Sequence, residues 1–308
     1  MSTPAPHSAD APAAAPASRL PAILALLANA FVWGLSWWPL RRLQEMGLHP
    51  LWATTLFFVL GCVLVLLWRR GAWPALRAAP SLAVLAVATG ATNAAFNWGV
   101  ATGEVVRVVL LFYLMPLWAV FLARWLLGEP LTRAGLLRVG LGLAGAVLVL
   151  SPPGGGIALR LHGLADVLGL VGGLCFALTN VWLRREAARP AEARALAMFI
   201  GGALLPAALG LLLAGQGVLP WLPPPAPGWV ALALAQGVVF IAANLALQYG
   251  AARVSVAVAS VVMLTEVVFA AASAVWIGGE TLHPSLGLGG ALIMGSALLA
   301  ALERPRVG

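Results

Sequence analysis

Glu266 is the one carboxylate of this chain that falls in the middle of a long apolar run, twelve residues into a stretch of about 23 that is long enough to cross a bilayer. Glu104, Glu129, Asp166 and Glu280 all map near the ends of such runs. An acid at membrane depth must face a cavity, find a polar partner or take up a proton. Its candidate chemistry is therefore proton coupling or cation binding, set against a structural role as a hydrogen-bonded bridge between helices. A second set of polar groups comes in two copies. Asn93 and Asn97 are one helical turn apart, and Asn244 and Gln248 repeat that i, i+4 spacing, so each pair gives its helix one polar face. Amides on two related helices can offer donors and acceptors to a zwitterionic or amide-bearing solute; the alternative is that they only join neighbouring helices. Trp33 lies too deep for an interfacial belt and is a candidate wall of a substrate path, whereas Trp37 and Trp38 are placed near an interface. Tyr113 could add a hydroxyl, and Pro116 removes a backbone hydrogen bond from the carbonyl of Phe112, which makes it a candidate hinge.

These groups sit on apolar helices. The chain has 308 residues, 62% of them hydrophobic and 9% charged, with a mean hydropathy of +0.97, which excludes a soluble domain of any size and defines a polytopic membrane protein. Ten helices are expected, at 21–40, 50–68, 81–101, 105–127, 135–151, 163–183, 195–215, 228–250, 255–277 and 285–302. The connections marked by Gly103-Glu104 and by Arg253 are very short, so the helices they join form hairpins. Residues 1–18 are rich in Pro and Ala and are expected to be a disordered tail. Cys62 and Cys175 fall inside spans and read as packing residues.

The net charge of +8 comes from 18 basic residues, all of them Arg, scattered between apolar runs and not clustered as a nucleic-acid surface would need. With the N-terminus inside, thirteen arginines fall in inner segments and four (Arg41, Arg42, Arg107 and Arg160) in outer ones, which places both termini in the cytoplasm. Arg107 and Arg124 are expected to snorkel to opposite faces.

Residues 93–132 and 244–283 match without a gap at an offset of 151, with eleven identities in forty positions. The informative pairs are Asn93 with Asn244, Gly99 with Gly250, Trp125 with Trp276 and Gly128-Glu129 with Gly279-Glu280. The chain thus divides into a first five-helix repeat, 19–151, and a second, 163–303. Five is odd, so the second repeat enters the membrane inverted, an arrangement suited to alternating access. The Gly-Glu pairs read as structural, the Glu capping the next helix or binding a nearby Arg. Gly140, Gly142 and Gly145 fit close helix packing.

Trp33-Gly34, Met115-Pro116, the segment Leu127-Gly128-Glu129-Pro130-Leu131-Thr132, Thr265-Glu266 and the segment Gly278-Gly279-Glu280-Thr281-Leu282 occur in this order. With this ordered set the chain resembles the EamA-type carriers of the drug/metabolite transporter superfamily. The resemblance implies an all-α integral membrane protein of ten transmembrane helices in two inverted five-helix repeats. It also implies secondary transport of a small metabolite, commonly export of amino acids or related compounds, across the cytoplasmic membrane. Where the family often carries Pro after the mid-span Glu, this chain has Val267, so a proline kink is not expected there. Tyr113-Leu114-Met115-Pro116 also looks like the aromatic amino acid exporter branch.

The implied partners are the lipid bilayer, a small-molecule substrate and protons as the candidate coupling ion, without nucleic acid, cofactor or metal. Catalysis is not expected, because His7, His49, His162 and His283 all fall in tails or loops and no hydrolase or metalloenzyme motif is present. The competing reading is a non-transporting scaffold or lipid-handling subunit of the membrane.

Overall fold

The computed structural model describes residues 20–128, 130, 132–151, 160–251, 253–254 and 256–302. The expected N-terminal tail, Glu129 and the side chain of Gln248 lie outside the described residues. The described residues form helices joined by turns and loops, without a strand.

The first half contains α1 (Leu20–Leu35), α2 (Trp37–Glu45), α3 (Pro50–Trp68), the short α4 (Ala72–Arg77), α5 (Leu82–Thr102), α6 (Val105–Phe112), α7 (Met115–Leu127) and α8 (Arg133–Leu150). The second contains α9 (Leu164–Arg185), α10 (Ala191–Gly215), α11 (Pro227–Ala251), α12 (Val256–Met263), α13 (Thr265–Trp276) and α14 (Pro284–Leu302). Local sequence sets several of the starts. The His49 ring accepts the Leu51 N–H ahead of Pro50, and the Thr132 hydroxyl accepts the Gly135 N–H at 2.9 Å. The first helical passage runs to Glu45, further than the sequence suggests, with an interruption at Ser36, whose hydroxyl donates to the Trp33 carbonyl at 2.7 Å.

Among the described residues seven helical segments are long and apolar enough to cross a membrane: Leu20–Glu45, Pro50–Trp68, Val105–Leu127, Arg133–Leu150, Leu164–Arg185, Ala191–Gly215 and Pro227–Ala251. Val261–Trp276 and Pro284–Leu299 are shorter apolar helices. α5 is absent from both groups because Asn, Thr and Gly dilute its apolar residues. It is nonetheless among the most enclosed elements, buried on nearly all sides from Ala88 to Ala101, while Val84 and Val87 near its start are exposed. A polar helix can hold that place because protein, not lipid, surrounds it.

Small residues let the helices approach. Gly90 of α5 faces the Gly201 carbonyl of α10, and Gly169 and Gly173 of α9 lie against the carbonyls of Val108 and Phe112. Gly145 of α8 meets the Gly289 carbonyl of α14. Gly142 touches Leu114 and Leu117, while Gly140 has open space beside it and takes no part in the packing expected of it.

The sequence offset of 151 is also an offset in structure. α6 and α12 span equivalent positions, 105–112 and 256–263, and both are followed by a break and a second helix. Gly128 and Gly279, at equivalent places, both take left-handed backbone, φ 71° and 69°, a conformation that favours glycine. Trp125 and Trp276 are likewise equivalent and are 82% and 84% exposed, so both project from the bundle.

Candidate functional site

The two helix breaks face each other. Between α6 and α7, Pro116 offers no N–H to Phe112, and the chain makes short turns in which Leu114 N–H donates to Leu111 and Leu117 N–H to Leu114. Between α12 and α13, where Val267 stands in place of a proline, the break forms by other means. Thr265 donates its hydroxyl to the Val262 carbonyl at 2.6 Å, and Leu264 and Val267 N–H groups bond three residues back instead of four.

Tyr113 caps α6 and Glu266 opens α13, and the Tyr113 hydroxyl donates to Glu266 Oε2 at 3.1 Å. Tyr113 is buried and Glu266 half-buried. α1 crosses at this point. A Cβ on Gly34 would lie 2.8 Å from the Glu266 carbonyl and 2.7 Å from Phe269 Cβ, so a larger residue would push α1 off the carboxylate-bearing turn.

Aromatic rings lead away from this pair. Phe112 packs near Tyr113 and lies 4.7 Å from Phe96, which is 6.4 Å from Trp33; Trp33 in turn stacks on Phe240 at 4.7 Å and 15°. Trp33, Tyr113 and Glu266 therefore belong to one region, with Pro116 at its break.

The amides are placed differently. Asn93 donates to the Thr89 carbonyl at 2.9 Å, and Asn244 donates to the Phe240 carbonyl at 2.8 Å, each to its own helix. Asn97 is fully buried; its Nδ2 donates to the Thr54 hydroxyl at 3.0 Å and its Oδ1 has no partner. None of these three reaches Glu266. Asn29, also fully buried, donates to the Ala243 carbonyl at 2.8 Å and likewise leaves its Oδ1 unpartnered. Its deep position on α1 is the signal by which sequence could have ranked it with Asn97.

Three expectations need correction. Arg107 does not snorkel: it is 4% exposed, pairs with Asp166 at 2.8 and 3.0 Å, and donates to the carbonyls of Val149 and Arg160. A buried carboxylate within reach outweighs the pull of water. Trp37 is not part of a belt, since it is buried and its Nε1 donates to Ser273 Oγ at 2.9 Å. Glu280 binds an arginine, Arg41, at 3.4 Å, but the helix it caps is α6 of the other half rather than the helix that follows it.

A cavity of about 390 Å³ lies at the end of α5, lined by Trp98, Glu104, Arg107, His162 and Asp166 among others. Its charged floor is internally satisfied, because Asp166 also accepts the His162 N–H at 2.7 Å. Among the described residues no group of three or more His, Cys, Asp or Glu could hold a metal ion.

Among the described residues, helical without a strand, seven helices are apolar and long enough to cross a membrane, and a carboxylate in the first turn of α13 is held between two broken helices; this is a multi-pass membrane protein. The chain belongs to the EamA-like transporter family, whose model matches residues 20–151 and again 163–302. Membership makes it a membrane transporter of small compounds rather than a member of an enzyme family. Among solved structures fifteen chains match. One, described as "Crystal structure of protein", is 23% identical over 92% of this chain and 97% of its own length, with a TM-score of 0.56, and so shares the fold. A search of curated proteins returns no match.

Proposed function

We propose that this protein is a secondary transporter that exports a small metabolite, an amino acid or a related compound, across the cytoplasmic membrane by alternating access. Ten transmembrane passages form two five-helix units, 19–151 and 163–303, the second inverted, with both termini in the cytoplasm. The observation that carries the reading is the Tyr113–Glu266 contact at 3.1 Å, which joins the two halves at their equivalent helix breaks. Broken helices near mid-membrane free backbone and side-chain groups for a solute, and a related pair of halves has two conformations of similar energy.

In this reading Glu266 is the coupling group, loading and releasing a proton, and Pro116 is the hinge beside it. Trp33, Tyr113, Asn93, Asn97, Asn244 and Gln248 contact the substrate as the halves rearrange. The unpartnered Oδ1 of Asn97 supports this, because a buried acceptor left unpaired costs about 1–3 kcal/mol until a partner arrives.

The test is counterflow in proteoliposomes against a panel of amino acids, nucleobases, vitamins and amine drugs preselected by thermal shift. Glu266→Gln and Asn93→Ala abolish counterflow while the protein still elutes as one species; unchanged flux in both removes the site. Cysteines at 104 and 253 label from opposite sides of the membrane, and labelling from one side removes the inversion.

A further inference from the structure

Where α2, α6 and α13 meet, one carboxylate of the second half is held by groups of the first. Gly279 turns the chain after α13 so that the Glu280 N–H returns to the Ala274 carbonyl at 3.0 Å. The Glu280 side chain then points across the bundle. Its Oε1 accepts the Val105 N–H at 2.7 Å and its Oε2 the Val106 N–H at 3.2 Å, the first two amides of α6. These amides have no partner within their own helix, and the positive end of the helix favours a carboxylate.

Arg41 reaches the same carboxylate at 3.4 Å, donates to the Gly103 carbonyl just ahead of α6, and lays its guanidinium 4.8 Å from the Trp37 ring. Trp37 continues the contact to α13 through Ser273. The tie therefore spans α2, the α5–α6 turn and α13.

Two features separate this tie from the Arg107–Asp166 ion pair, which also joins the halves. The side chains of Arg41 and Glu280 are 27% and 13% exposed, at the rim, whereas those of Arg107 and Asp166 are 5% and 4% exposed. Water already reaches the Arg41 and Glu280 side chains and can solvate both charges on release, so opening this tie costs less than opening the buried pair, even though Val105, whose N–H it frees, is fully buried. Opening the buried pair would leave charges without partners. Glu280 also lies just past the C-terminal end of α13, the helix whose first turn holds Glu266, with Ser273 between them; from Glu266 to the last helical residue, Trp276, the helix rises about 15 Å.

We propose that Glu280, seated on the first amides of α6 and paired with Arg41, is the latch of a gate, and that its release opens a path along α13 toward Glu266. This deepens the carrier reading and rests on it. Under the topology above, the gate is the outer one.

The test uses the full chain with Cys62 and Cys175 replaced by Ala and Ser273→Cys as a reporter, since Ser273 is 6% exposed behind the latch. Alkylation of this cysteine by a water-soluble maleimide is timed in the parent, in Glu280→Gln and in Val105→Pro. The proline variant deletes the N–H that Glu280 accepts at 2.7 Å and leaves Glu280 and Arg41 in place. Proline suits the first position of a helix, and Glu104, with φ −67° and ψ 116°, already has the extended backbone required ahead of it.

Both variants, eluting as a single gel-filtration species, are expected to label about tenfold faster than the parent. Unchanged rates in both overturn the latch. If only the proline variant folds, it decides alone. Counterflow by the parent together with unchanged labelling removes the latch and keeps the carrier; faster labelling without counterflow keeps the gate and removes the carrier.

Discussion

Tyr113 and Glu266, 153 residues apart in the chain, meet through a 3.1 Å hydrogen bond at two helix breaks that the sequence repeat makes equivalent. The breaks arise from different chemistry. Proline removes a donor in the first half, and a threonine hydroxyl occupies a backbone carbonyl in the second.

Tyr113→Phe keeps the ring against Phe112 and deletes only the hydroxyl. A hydrogen bond to a charged group contributes about 1.5–3 kcal/mol, so initial counterflow rates are expected to fall roughly tenfold or more. Rates in proteoliposomes across a pH series check this, and rates equal to the parent at every pH would remove Tyr113 from the transport step.

Arg107→Ala leaves Asp166 buried with only the His162 N–H as donor. The expected loss is about 3–5 kcal/mol of stability, read as a lower thermal unfolding midpoint in detergent. Arg107→Lys recovers part of it, since an ammonium cannot reach Asp166, Val149 and Arg160 together as the guanidinium does. The double variant Arg107→Met with Asp166→Leu is less destabilised than Arg107→Ala.

Two glycines of the bundle separate packing from propensity. A Cβ on Gly201 runs into the backbone of Ala86, so Gly201→Ala must part α10 from α5 at a cost of about 1–3 kcal/mol. Gly140 has nothing within 4 Å, and Gly140→Ala gains up to about 1 kcal/mol in helix propensity. Thermal midpoints moving in opposite directions are the expected outcome.

His49, at the head of α3, is buried against Trp98 and accepts the Leu51 N–H through Nδ1. Burial lowers its pKa from 6.5 to about 4, so the folded state resists the proton that the unfolded chain takes up below 6.5. Stability from this group is therefore complete above 6.5, falls as pH drops toward 4 and then levels off. His49→Asn keeps a capping acceptor and cannot titrate, so the difference between parent and variant midpoints should widen across that window. A constant difference would show that His49 is not the group responsible.

Much of this organisation was legible in the residues themselves. Asn93 and Asn244, Trp125 and Trp276, and Gly128 and Gly279 repeat at one offset, and the structure gives each pair the same local role: a bond back to its own helix, an exposed ring, a left-handed turn. These are short-range properties of a helix and its caps. The lone mid-span Glu266 was equally visible, because an acid in apolar surroundings stands out whatever it touches. Gly34 entered only through a resemblance, and its physical reason, the close crossing of α1 over the Glu266 turn, depends on a helix more than two hundred residues away.

Sequence by itself determined the helices, their membrane character, the duplication and the position of the mid-span acid, since hydropathy and repeat spacing are written along the chain. Only tertiary structure decided the partners: Tyr113 for Glu266, Asp166 for Arg107, the amides of α6 for Glu280 and Thr54 for Asn97. A polar group in a low-dielectric interior must find a complementary one, but several candidates satisfy that demand equally well in one dimension. Which of them lies within hydrogen-bonding distance is settled by how glycine contacts and helix breaks set the helices against one another.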